Sequence, residues 1–421
     1  MVGGPRRGAR LGVLSVEEAR RRVLDAVGVL DPVDLDVADA AGYAVVEDQA
    51  APHALPRFDN SAMDGYAVRA SDTYAAHESS PVELEVIGEV QAGRPPDREV
   101  EPGTSVRIMT GAAVPRGADG IVPVEHTSES DGVVSVNQPT SPGRHVRPAG
   151  DDIEAGAVAV RRGTELGAGE LALLASLGLS PVTVVRRPRV TILVTGDELV
   201  APEAEVAPGR IRDSNTVALR VLATEAGAEI VGSERVPDDR GATLDAFRRA
   251  AAGSDLVISS GGVAVGRYDF VKDVVQELGH IDLWRVAMQP GKPVVLGAVG
   301  DTPFMGLPGN PVSIHVGFEQ FVRPAIRRMR GCRSLLRPTL EASLASELEK
   351  RPGRLHFVRV RLAQESGGWQ AVPTGPQGSH IQSSLVDCHG VARFPSEATR
   401  LEAGEMVTVE VWKLPDGEGV R

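Results

Sequence analysis

Residues 255–275 read DLVISSGGVAVGRYDFVKDVV, and this stretch decides the fold of the central part of the chain. Its apolar start is too short for a helix and is typical of a buried parallel strand. The strand leads into Ser260, Gly261 and Gly262, a turn in which glycine allows backbone amides to approach an anion. Asp269 then begins an amphipathic helical segment. A strand, a glycine turn and a helix start together predict a cradle for a phosphate or oxyanion.

The same alternation of strands and helices extends over residues 188–335. Apolar strand runs and amphipathic helical runs follow one another there, ending with strands near Leu283 and Val294 and a helix from Pro311. This pattern predicts an α/β domain with an open, largely parallel sheet, whose binding sites lie at the carboxyl ends of the strands.

All-β parts and a helical part are predicted around this α/β domain, so the chain is multidomain. Residues 50–156 contain short strand patterns between Gly and Pro turns and predict a β insertion domain. Residues 10–49 and 157–187 carry helical patterns on either side of it and predict a discontinuous helical or linker domain. Residues 336–414 lose helical periodicity and predict a small C-terminal β domain.

The first helix has a defined start signal. Ser15 and Glu18 form a capping box, in which each side chain accepts a hydrogen bond from the other residue's backbone amide. Apolar residues at Val23, Val27 and Val29 predict that this helix extends to Val29.

Composition limits the classes of function. The 421-residue chain has a net charge of −12 and only 4% aromatic residues, which argues against a nucleic-acid partner. Two cysteines, Cys332 and Cys388, exclude a disulfide framework and a four-thiolate metal site. No apolar run has the length of a membrane span or of a signal-peptide core. We therefore expect no membrane partner and a cytoplasmic protein.

Carboxylates follow three of the predicted strands. Asp197 and Glu198 come after the first, Asp238 and Asp239 after the second, and Asp269 after the third. Each alone is as typical of a helix cap or turn. Because parallel strands end at one sheet edge, the side chains are expected to converge there, and clustered carboxylates need a cation. Mg²⁺ is the predicted cation, since it takes oxygen ligands and bridges to phosphates.

Positive charge is available beside the same edge. Lys292 lies between prolines in a Pro-Gly-Lys-Pro loop, and residues 306–311 read GLPGNP directly before a helix. Ser313 falls in the first turn of that helix, where amides and the helix dipole favour a tetrahedral dianion. Proline and glycine loops of this kind also occur as simple turns.

Three segments of the β insertion carry polar groups of the same type. Residues 57–68 read RFDNSAMDGYAV and include Asp64, residues 107–111 end at Thr110 and Gly111, and residues 144–152 include arginines and two aspartates. By composition alone, the first of these segments is an ordinary hairpin. The arginines are able to bind phosphate in a bidentate manner.

These strings occur in a fixed order over residues 58–313: FDNSAMDGYAV, RIMTGAAVP, GDD, VTGDEL, DSN, ISSGGVAVG, PGKP and GLPGNPVS. Together they closely resemble the molybdopterin molybdenumtransferase (MoeA) family, and also the C-terminal region of gephyrin. The resemblance implies that adenylylated molybdopterin and molybdate react to give the molybdenum cofactor and AMP, with Mg²⁺ required. It also implies a homodimer whose active site lies between the β insertion of one subunit and the α/β domain of the other.

The resemblance also implies individual site residues. The family's active-site positions fall on Asp64, Thr110, Arg147, Asp152, Glu198, Asp238, Asp269, Pro308 and Pro311. Within this set, Glu198, Asp238 and Asp269 are expected to hold or neighbour Mg²⁺. The amides of Ser260, Gly261 and Gly262 are expected to bind the pyrophosphate. Lys292, Ser313 and Arg285 are expected to bind molybdate.

Two features depart from the family pattern. Arg285 and Gln289 stand where some relatives have lysine, and Gln289 removes a positive charge, which is expected to change anion affinity rather than the type of reaction. The C-terminal domain carries weaker signatures, which suggest Arg359, Ser383 and Ser384 as further contacts.

Two other functions are compatible with the sequence. The α/β domain alone also resembles the adenylyltransferase of the preceding step, which is in addition a potential partner; the β insertion and C-terminal domain favour metal insertion. A gephyrin-like scaffold is the second alternative, against which the retained carboxylates argue. The sequence does not select molybdate over tungstate, nor a molybdate oxygen over water as the group that attacks the phosphate.

Overall fold

The computed structural model describes residues 13–262, 270–365 and 367–415. Its centre is a seven-stranded sheet made of β1 (Val13–Leu14), β2 (Arg189–Thr195), β3 (Glu229–Val236), β4 (Leu256–Ser260), β5 (Gly279–Val286), β6 (Pro293–Val299) and β7 (Thr302–Leu307). The spatial order is β1-β5-β6-β7-β4-β2-β3, and only β6 runs antiparallel to its neighbours. The predicted open, largely parallel sheet is confirmed.

Helices cover both faces of this sheet. The described helices are α1 (Val16–Asp25), α2 (Ala168–Ser176), α3 (Asn215–Glu225), α4 (Arg240–Gly253), α5 (Phe270–Leu278), α6 (Pro311–Gly317) and α7 (Arg323–Met329), with a π-helical segment, Phe318–Val322, between α6 and α7. Alternation along the strands divides the core: Ile192 and Ile258 pack with α1, α3, α6 and α7, whereas Leu193 and Val257 pack with α4 and α5. The result is a three-layer α/β domain.

The first helix begins after Ser15 as predicted, but only the Ser15 half of the capping box is present, because the described contacts of the Glu18 carboxylate are with Arg21 and Arg22. The helix also ends earlier than predicted. The Ser15 hydroxyl accepts a hydrogen bond from the Glu18 amide at 3.1 Å, and α1 ends at Asp25 rather than at Val29. Val27 remains in the core through a non-helical segment, and Val29 is 47% exposed. The apolar spacing therefore continues past the helix although the helix does not.

The start of the chain also packs differently from the sequence prediction, which placed residues from 10 onward in the helical domain. Strand β1 pairs in parallel with Arg285 and Val286 at the edge of the central sheet, and α1 packs on that sheet. A strand of two residues has no detectable periodicity, and its partner is far away in sequence.

Strand β7 was missed by the sequence analysis, which predicted no strand between Val294 and Pro311. It pairs in parallel with β4 and antiparallel with β6 in the interior of the sheet. Pro303 and Gly306 interrupt the strand pattern there, because both residue types are disfavoured within strands. Tertiary pairing on both sides overrides that local preference.

The β insertion is a six-stranded sheet with apolar packing on both faces. Its order is Thr127–Ser130, Val133–Val136, Val82–Val90, Thr104–Ile108, Gly65–Val68 and Gly120–Pro123. Between it and the central sheet, helix α2 packs on a three-stranded sheet of Pro32–Leu35, Val182–Val185 and Ala44–Val45. Short strand pairs complete this part: Asn60–Ser61 with Val146–Arg147, and Gln49–Ala50 with Val158–Val160.

The C-terminal domain is a β-barrel. Its strands are Leu355–Glu365, Gly368–Pro373, Thr339–Leu344, Met406–Val411 and Gly390–Phe394, and the last of these pairs back with the first. Leu348–Glu349 pairs with Arg400–Leu401 beside it. The strand Met288–Gln289 of the α/β domain pairs with Leu355 and His356, so it joins the two domains. Within the described ranges, no helix is long and apolar enough to cross a membrane.

Candidate functional site

A cleft of about 900 Å³ lies where the carboxyl ends of the central strands meet the C-terminal domain. Its described lining comes from residues 194–380, so the β insertion of the same chain contributes nothing to it. The predicted residues found in it are Glu198, Ser260, Gly261, Gln289, Lys292, Pro308, Pro311 and Ser313. Strand ends, the Pro-Gly-Lys-Pro loop and the start of α6 therefore converge as the doubly wound topology predicts.

The Ser260 turn is tightly constrained at one end of the cleft. Gly261 has a φ of +85°, and a Cβ on it would lie 2.9 Å from the carbonyl oxygen of Thr195. Asn215, at the start of α3, donates from Nδ2 to Ser260 Oγ at 3.1 Å and to the Gly309 carbonyl at 2.8 Å. This amide side chain links the turn to the Gly-Leu-Pro-Gly-Asn-Pro loop.

One predicted role in this turn is corrected. The amide of Gly261 donates to the Leu307 carbonyl at 3.1 Å, and Ser260 pairs within the sheet with Val194 and Leu307. The Gly261 amide is therefore already occupied and does not point at a pyrophosphate. Gly262, with a φ of +69°, follows the turn but does not line the cleft.

The start of α6 is in contact with the C-terminal domain. The Val312 amide donates to the Ser379 carbonyl at 3.2 Å, and Asn310 Nδ2 donates to Ser379 Oγ at 3.1 Å. Part of the helix N-terminus that was predicted to hold a dianion is thus capped by protein. Ser313 is buried and lines the cleft, and a Cβ on Gly291, which precedes Lys292, would lie 3.4 Å from the Ser313 carbonyl oxygen.

Arg359 holds the C-terminal wall of the cleft in place rather than lining it. Its side chain is fully buried and donates to Ser384 Oγ at 2.9 Å and to the carbonyls of Pro376 and Gly378 at 3.2 and 3.3 Å. Burial lowers the pKa of this guanidinium to about 10. Ser383 is exposed and, like Ser384, is not part of the lining.

The charged lining of the cleft is mostly positive. Arg212, Lys292 and Arg354 line it, whereas Glu198 is the acidic side chain among its described lining residues. No described carboxylate forms an ion pair with any of these cations, and Arg212 donates to the Ala204 carbonyl at 3.2 Å. In a protein with a net charge of −12, this local excess of positive charge favours an anionic ligand.

The remaining carboxylates of the sheet edge are engaged with backbone. The Asp238 amide donates to Asp197 Oδ1 at 3.1 Å, and the Asp197 amide donates to Asp238 Oδ2 at 3.3 Å. Asp239 caps α4 by accepting from the Ala242 amide at 2.8 Å. Asp238 does not line the cleft, and Asp269 lies outside the described residues. In the part of the chain that is described, no group of three or more His, Cys, Asp or Glu side chains could hold a metal ion.

A second polar group lies on the β insertion. Asp64 precedes one strand and Thr110 follows its antiparallel neighbour, so the pairing of Gly65 with Ile108 brings them together. The Thr110 amide and hydroxyl donate to Asp64 Oδ1 at 2.7 and 2.8 Å. These two hydrogen bonds lower the pKa of the Asp64 carboxyl. The carboxylate therefore stays charged and oriented although it is exposed.

The other predicted residues of the insertion are exposed near this pair. Arg147 lies on a short strand that pairs with Asn60, and the Asp152 amide donates to the Leu55 carbonyl at 3.0 Å. Among described residues, the hydrogen bonds and ion pairs of residues 52–153 stay within that segment. Arg285 is exposed on β5 and does not line the cleft. The predicted residues therefore form two groups, with Arg285 and Asp238 outside both.

Sequence reasoning missed several cleft residues. Asn215 appears in the sequence analysis only as part of the DSN string, and Arg354, Ser379 and His380 were not singled out. The Gly-Ser-His string at 378–380 resembles an ordinary loop, and only the packing of the barrel on α6 brings it to the cleft.

The fold and the two groups define a multidomain protein built around a molybdopterin-binding type of α/β domain. Residues 14–178 match the MoeA N-terminal region (domain I and II), residues 191–328 a probable molybdopterin binding domain, and residues 341–412 the MoeA C-terminal region (domain IV). A crystal structure of the MoeA protein from Pyrococcus horikoshii superposes with a TM-score of 0.81 at 33% identity, covering 96% of this chain and 100% of that one.

Named relatives agree over nearly the whole length. Molybdopterin molybdenumtransferase 2 of Mycobacterium tuberculosis is 39% identical over 95% of this chain and 99% of its own. The Haemophilus influenzae molybdopterin molybdenumtransferase is 36% identical over 94% and 98%. The chain belongs to the molybdopterin molybdenumtransferase (MoeA) family, which makes it a transferase of molybdenum cofactor biosynthesis.

Proposed function

We propose that this protein inserts molybdate into adenylylated molybdopterin and releases AMP. The observation that carries the proposal is the excess of positive charge in the cleft: Arg212, Lys292 and Arg354 against the single described carboxylate of Glu198. Both substrates are anions, one with a pyrophosphate link and one a tetrahedral dianion. The volume of about 900 Å³ is in the range of small-molecule and cofactor sites.

The reaction couples two bond changes. The phosphoanhydride bond breaks and AMP leaves, while two molybdate oxygens are replaced by the two dithiolene sulfurs. Either one of those oxygens or a solvent water supplies the oxygen that is added to the cleaved phosphate. Binding both anionic reactants in one cleft converts a bimolecular step into an effectively unimolecular one. This is the main contribution expected of the protein.

The cleft residues divide this task. Ser260 and the Gly309 carbonyl are held by Asn215, which fixes the two loops that face the nucleotide side. Lys292 and Ser313 line the same cleft and are suited to bind molybdate by charge and hydrogen bonding. Pro308 and Pro311 shape the wall between them and restrict the backbone there.

Mg²⁺ fits this site through one protein carboxylate and the substrate. Glu198 lines the cleft with no described hydrogen-bond donor on its carboxylate, and Mg²⁺ commonly uses one or two carboxylates together with substrate phosphates. When bound, the ion would neutralise charge on the phosphates. Asp238 lies outside the described lining and Asp269 outside the described residues, so the roles of both toward the ion remain as the family resemblance implies.

We further propose that the active site is shared in a homodimer. The support is that Asp64, Thr110, Arg147 and Asp152 are exposed on the insertion and do not line the cleft of their own chain. Two hydrogen bonds keep the pKa of the Asp64 carboxyl low although it faces solvent. Such a carboxylate is suited to contact a ligand that is bound by another subunit. The cleft of a second subunit provides that ligand in a closed, symmetric dimer.

Product analysis tests the reaction. Purified protein is incubated with adenylylated molybdopterin, Mg²⁺ and molybdate, and AMP and protein-bound molybdenum cofactor are quantified. The proposal predicts AMP release that depends on molybdate and falls when Mg²⁺ is chelated. Pyrophosphate release from ATP and molybdopterin would instead identify the adenylyltransferase step. The absence of both reactions would favour a scaffold. Replacing molybdate by tungstate in the same assay measures the metal preference.

A further inference from the structure

We propose that Gln320 is a positioning residue for the reaction. Its side chain sets the orientation of the C-terminal barrel relative to helix α6, and both α6 and the barrel contribute to the walls of the cleft. Gln320 itself is 1% exposed and is not among the described lining residues. The inference rests on the proposed function and adds to it a residue that acts through the geometry of the cleft.

The amide side chain of Gln320 joins three parts of the molecule. Its Nε2 donates to Glu410 Oε2 of the barrel at 2.6 Å, and its Oε1 accepts a hydrogen bond from Arg20 of α1. Arg20 Nε also donates to the Gln320 carbonyl at 3.1 Å. Within the barrel, Arg393 Nε donates to Glu410 Oε1 at 2.8 Å. A buried chain of hydrogen bonds therefore runs from α1 through Gln320 into two strands of the barrel.

One continuous helical segment connects this network with the cleft. Helix α6 passes directly into the π-helical segment Phe318–Val322, so Gln320 lies about two helical turns after Ser313 of the cleft. At the cleft end, the Val312 amide donates to the carbonyl of Ser379, a barrel residue that lines the cleft, at 3.2 Å. The barrel is thus hydrogen-bonded to the same helical segment at two separated points, which together determine its angle to that segment.

The π-helical turn buries two successive polar side chains. Glu319 and Gln320 are 4% and 1% exposed, and the Glu319 carboxylate accepts from Arg337 Nε and Nη2 at 2.9 Å each. Arg337 lies on the segment that leads into the barrel and donates to the Trp412 carbonyl at 3.2 Å. Single π-helical turns frequently occur at functional sites. Here the turn directs one polar side chain to the connecting segment and the next to the barrel.

A network of this kind specifies a geometry more than it adds stability. Replacing buried ion pairs by apolar residues is often neutral or stabilising, whereas hydrogen bonds fix distance and direction. Gln320 offers a donor to the Glu410 carboxylate and an acceptor to the Arg20 guanidinium. A carboxylate at position 320 would repel Glu410, and an apolar side chain would satisfy neither partner. The amide therefore selects one orientation of the barrel, and with it the position of the cleft-lining residues 377–380.

The kcat of AMP release and a distance across the two domains, measured on the same variants, test the inference. Spin labels are attached at Asp245→Cys in α4 and Ala403→Cys in the barrel, both exposed positions, whereas the native cysteines are buried. Gln320→Met should broaden the interspin distance distribution and lower kcat roughly tenfold, because small misplacements in an active site are costly. Gln276→Met makes the same substitution on the exposed face of α5 and should match wild type.

The molybdate requirement distinguishes positioning from direct binding. Lys292 and Ser313 belong to the α/β domain and keep their places in Gln320→Met. The molybdate concentration for half-maximal rate should therefore change less than about threefold, while kcat falls. A rise in this concentration with an unchanged kcat would contradict the proposed role.

Exchange of the amide and the carboxylate separates positioning from stability. Gln320→Glu and Glu410→Gln each break the pattern of donors and acceptors. Combined, they restore it, because the carboxylate then accepts from Arg20 and from the new amide, whose oxygen accepts from Arg393. The double variant should recover the interspin distance distribution and a kcat within about threefold of wild type.

Three results would overturn the inference. The first is a folded Gln320→Met protein with wild-type kcat, and the second is a fall in its kcat with an unchanged interspin distance distribution. The third is a double exchange that restores the urea midpoint of unfolding but not kcat, which would make the network purely stabilising. If Gln320→Met does not fold, the double exchange alone decides. If wild type releases no AMP, the proposed function fails, while the interspin distances still show whether Gln320 orients the barrel.

Discussion

In the cleft, polar groups from seven separate segments meet, because the central strands end at one edge and the barrel is hydrogen-bonded across that edge. On the insertion, Asp64 and Thr110 meet because two strands of one sheet end side by side. The first group encloses a volume and carries net positive charge. The second faces solvent and presents a carboxylate.

In the proposed homodimer, each group is half of a site. A cleft of cations binds anions but, among its described lining residues, has only one carboxylate for acid–base or metal chemistry. The insertion has exposed carboxylates at Asp64 and Asp152, and its residues are not part of the described cleft lining. The cleft supplies the binding volume and the positive charge, and the insertion supplies carboxylates. This complementarity is the reason for proposing that the two groups meet across a dimer.

The largest expected effect comes from neutralising the exposed half. Asp64→Asn keeps an oxygen that accepts from Thr110 but removes the charge, so folding should be unchanged while cofactor formation falls roughly a hundredfold, as for loss of a preorganised electrostatic group. AMP release under saturating substrates measures it. Glu78→Gln, another exposed carboxylate of the insertion, is the control and should behave like wild type. Full activity of Asp64→Asn would make the insertion a purely structural part.

A smaller effect is expected inside the cleft. Lys292→Ala should raise the molybdate concentration for half-maximal rate by about ten- to a hundredfold, because a hydrogen bond to a charged group is lost. Arg285→Ala removes a charge from the adjacent strand outside the cleft lining and should change it less than about twofold. Equal effects of the two substitutions would show that general surface charge, rather than the cleft, captures the oxyanion.

Much of the cleft was predictable, because the motifs lie at strand ends and topology brings strand ends together. Ser260, Lys292 and Ser313 were placed correctly from this argument alone. Arg285 was predicted to reach the cleft but does not line it, because a shift of one residue along a strand changes the direction of the side chain. Asp238 was assigned to the metal by the same edge argument, but its Oδ2 is used by the Asp197 amide.

What could not be predicted depends on contacts between domains. Ser379 and Arg354 reach the cleft only because the barrel pairs with Met288–Gln289 and caps α6. Strand β7 carries Pro303 and Gly306, so its local sequence argues against the strand that its neighbours impose. Local sequence patterns therefore predict neither the contact between the two domains nor strand β7.

The third prediction concerns pH. Thr110 lowers the pKa of Asp64 through an amide and a hydroxyl, so Thr110→Val removes the hydroxyl bond and should let this pKa rise toward its ordinary value. Protonation removes the charge as pH falls, so the acidic limb of the rate profile should move to higher pH in the variant. The rate at neutral pH should stay close to that of wild type, because a carboxyl with its ordinary pKa is still ionised there. Thr110→Ser, which retains a hydroxyl, is the control. An unmoved acidic limb would remove Asp64 from the rate-determining step.

The last prediction concerns the stability of the barrel strand that pairs with Met288–Gln289. Burial, with nearby Arg359 and Lys350, lowers the pKa of His356 to about 4, so the folded state holds it neutral. The unfolded state binds the proton at higher pH, so stability should fall by up to roughly 3 kcal/mol as pH decreases from about 6.5 to about 4. In His356→Phe, the urea midpoint of unfolding should depend less on pH between about 6.5 and about 4 than in wild type. His77→Phe, on the insertion, should keep the wild-type pH dependence.

Complementation between two impaired chains tests the shared site most directly. Asp64→Asn and Lys292→Ala proteins are mixed under conditions in which subunits exchange, and AMP release is followed at the molybdate concentration that half-saturates wild type, where Lys292→Ala alone has little activity. In a mixed dimer one site combines the intact insertion of one chain with the intact cleft of the other, so about a quarter of the wild-type activity should return. No recovery, with exchange demonstrated by mass-tagged subunits, would show that each chain builds its own complete site.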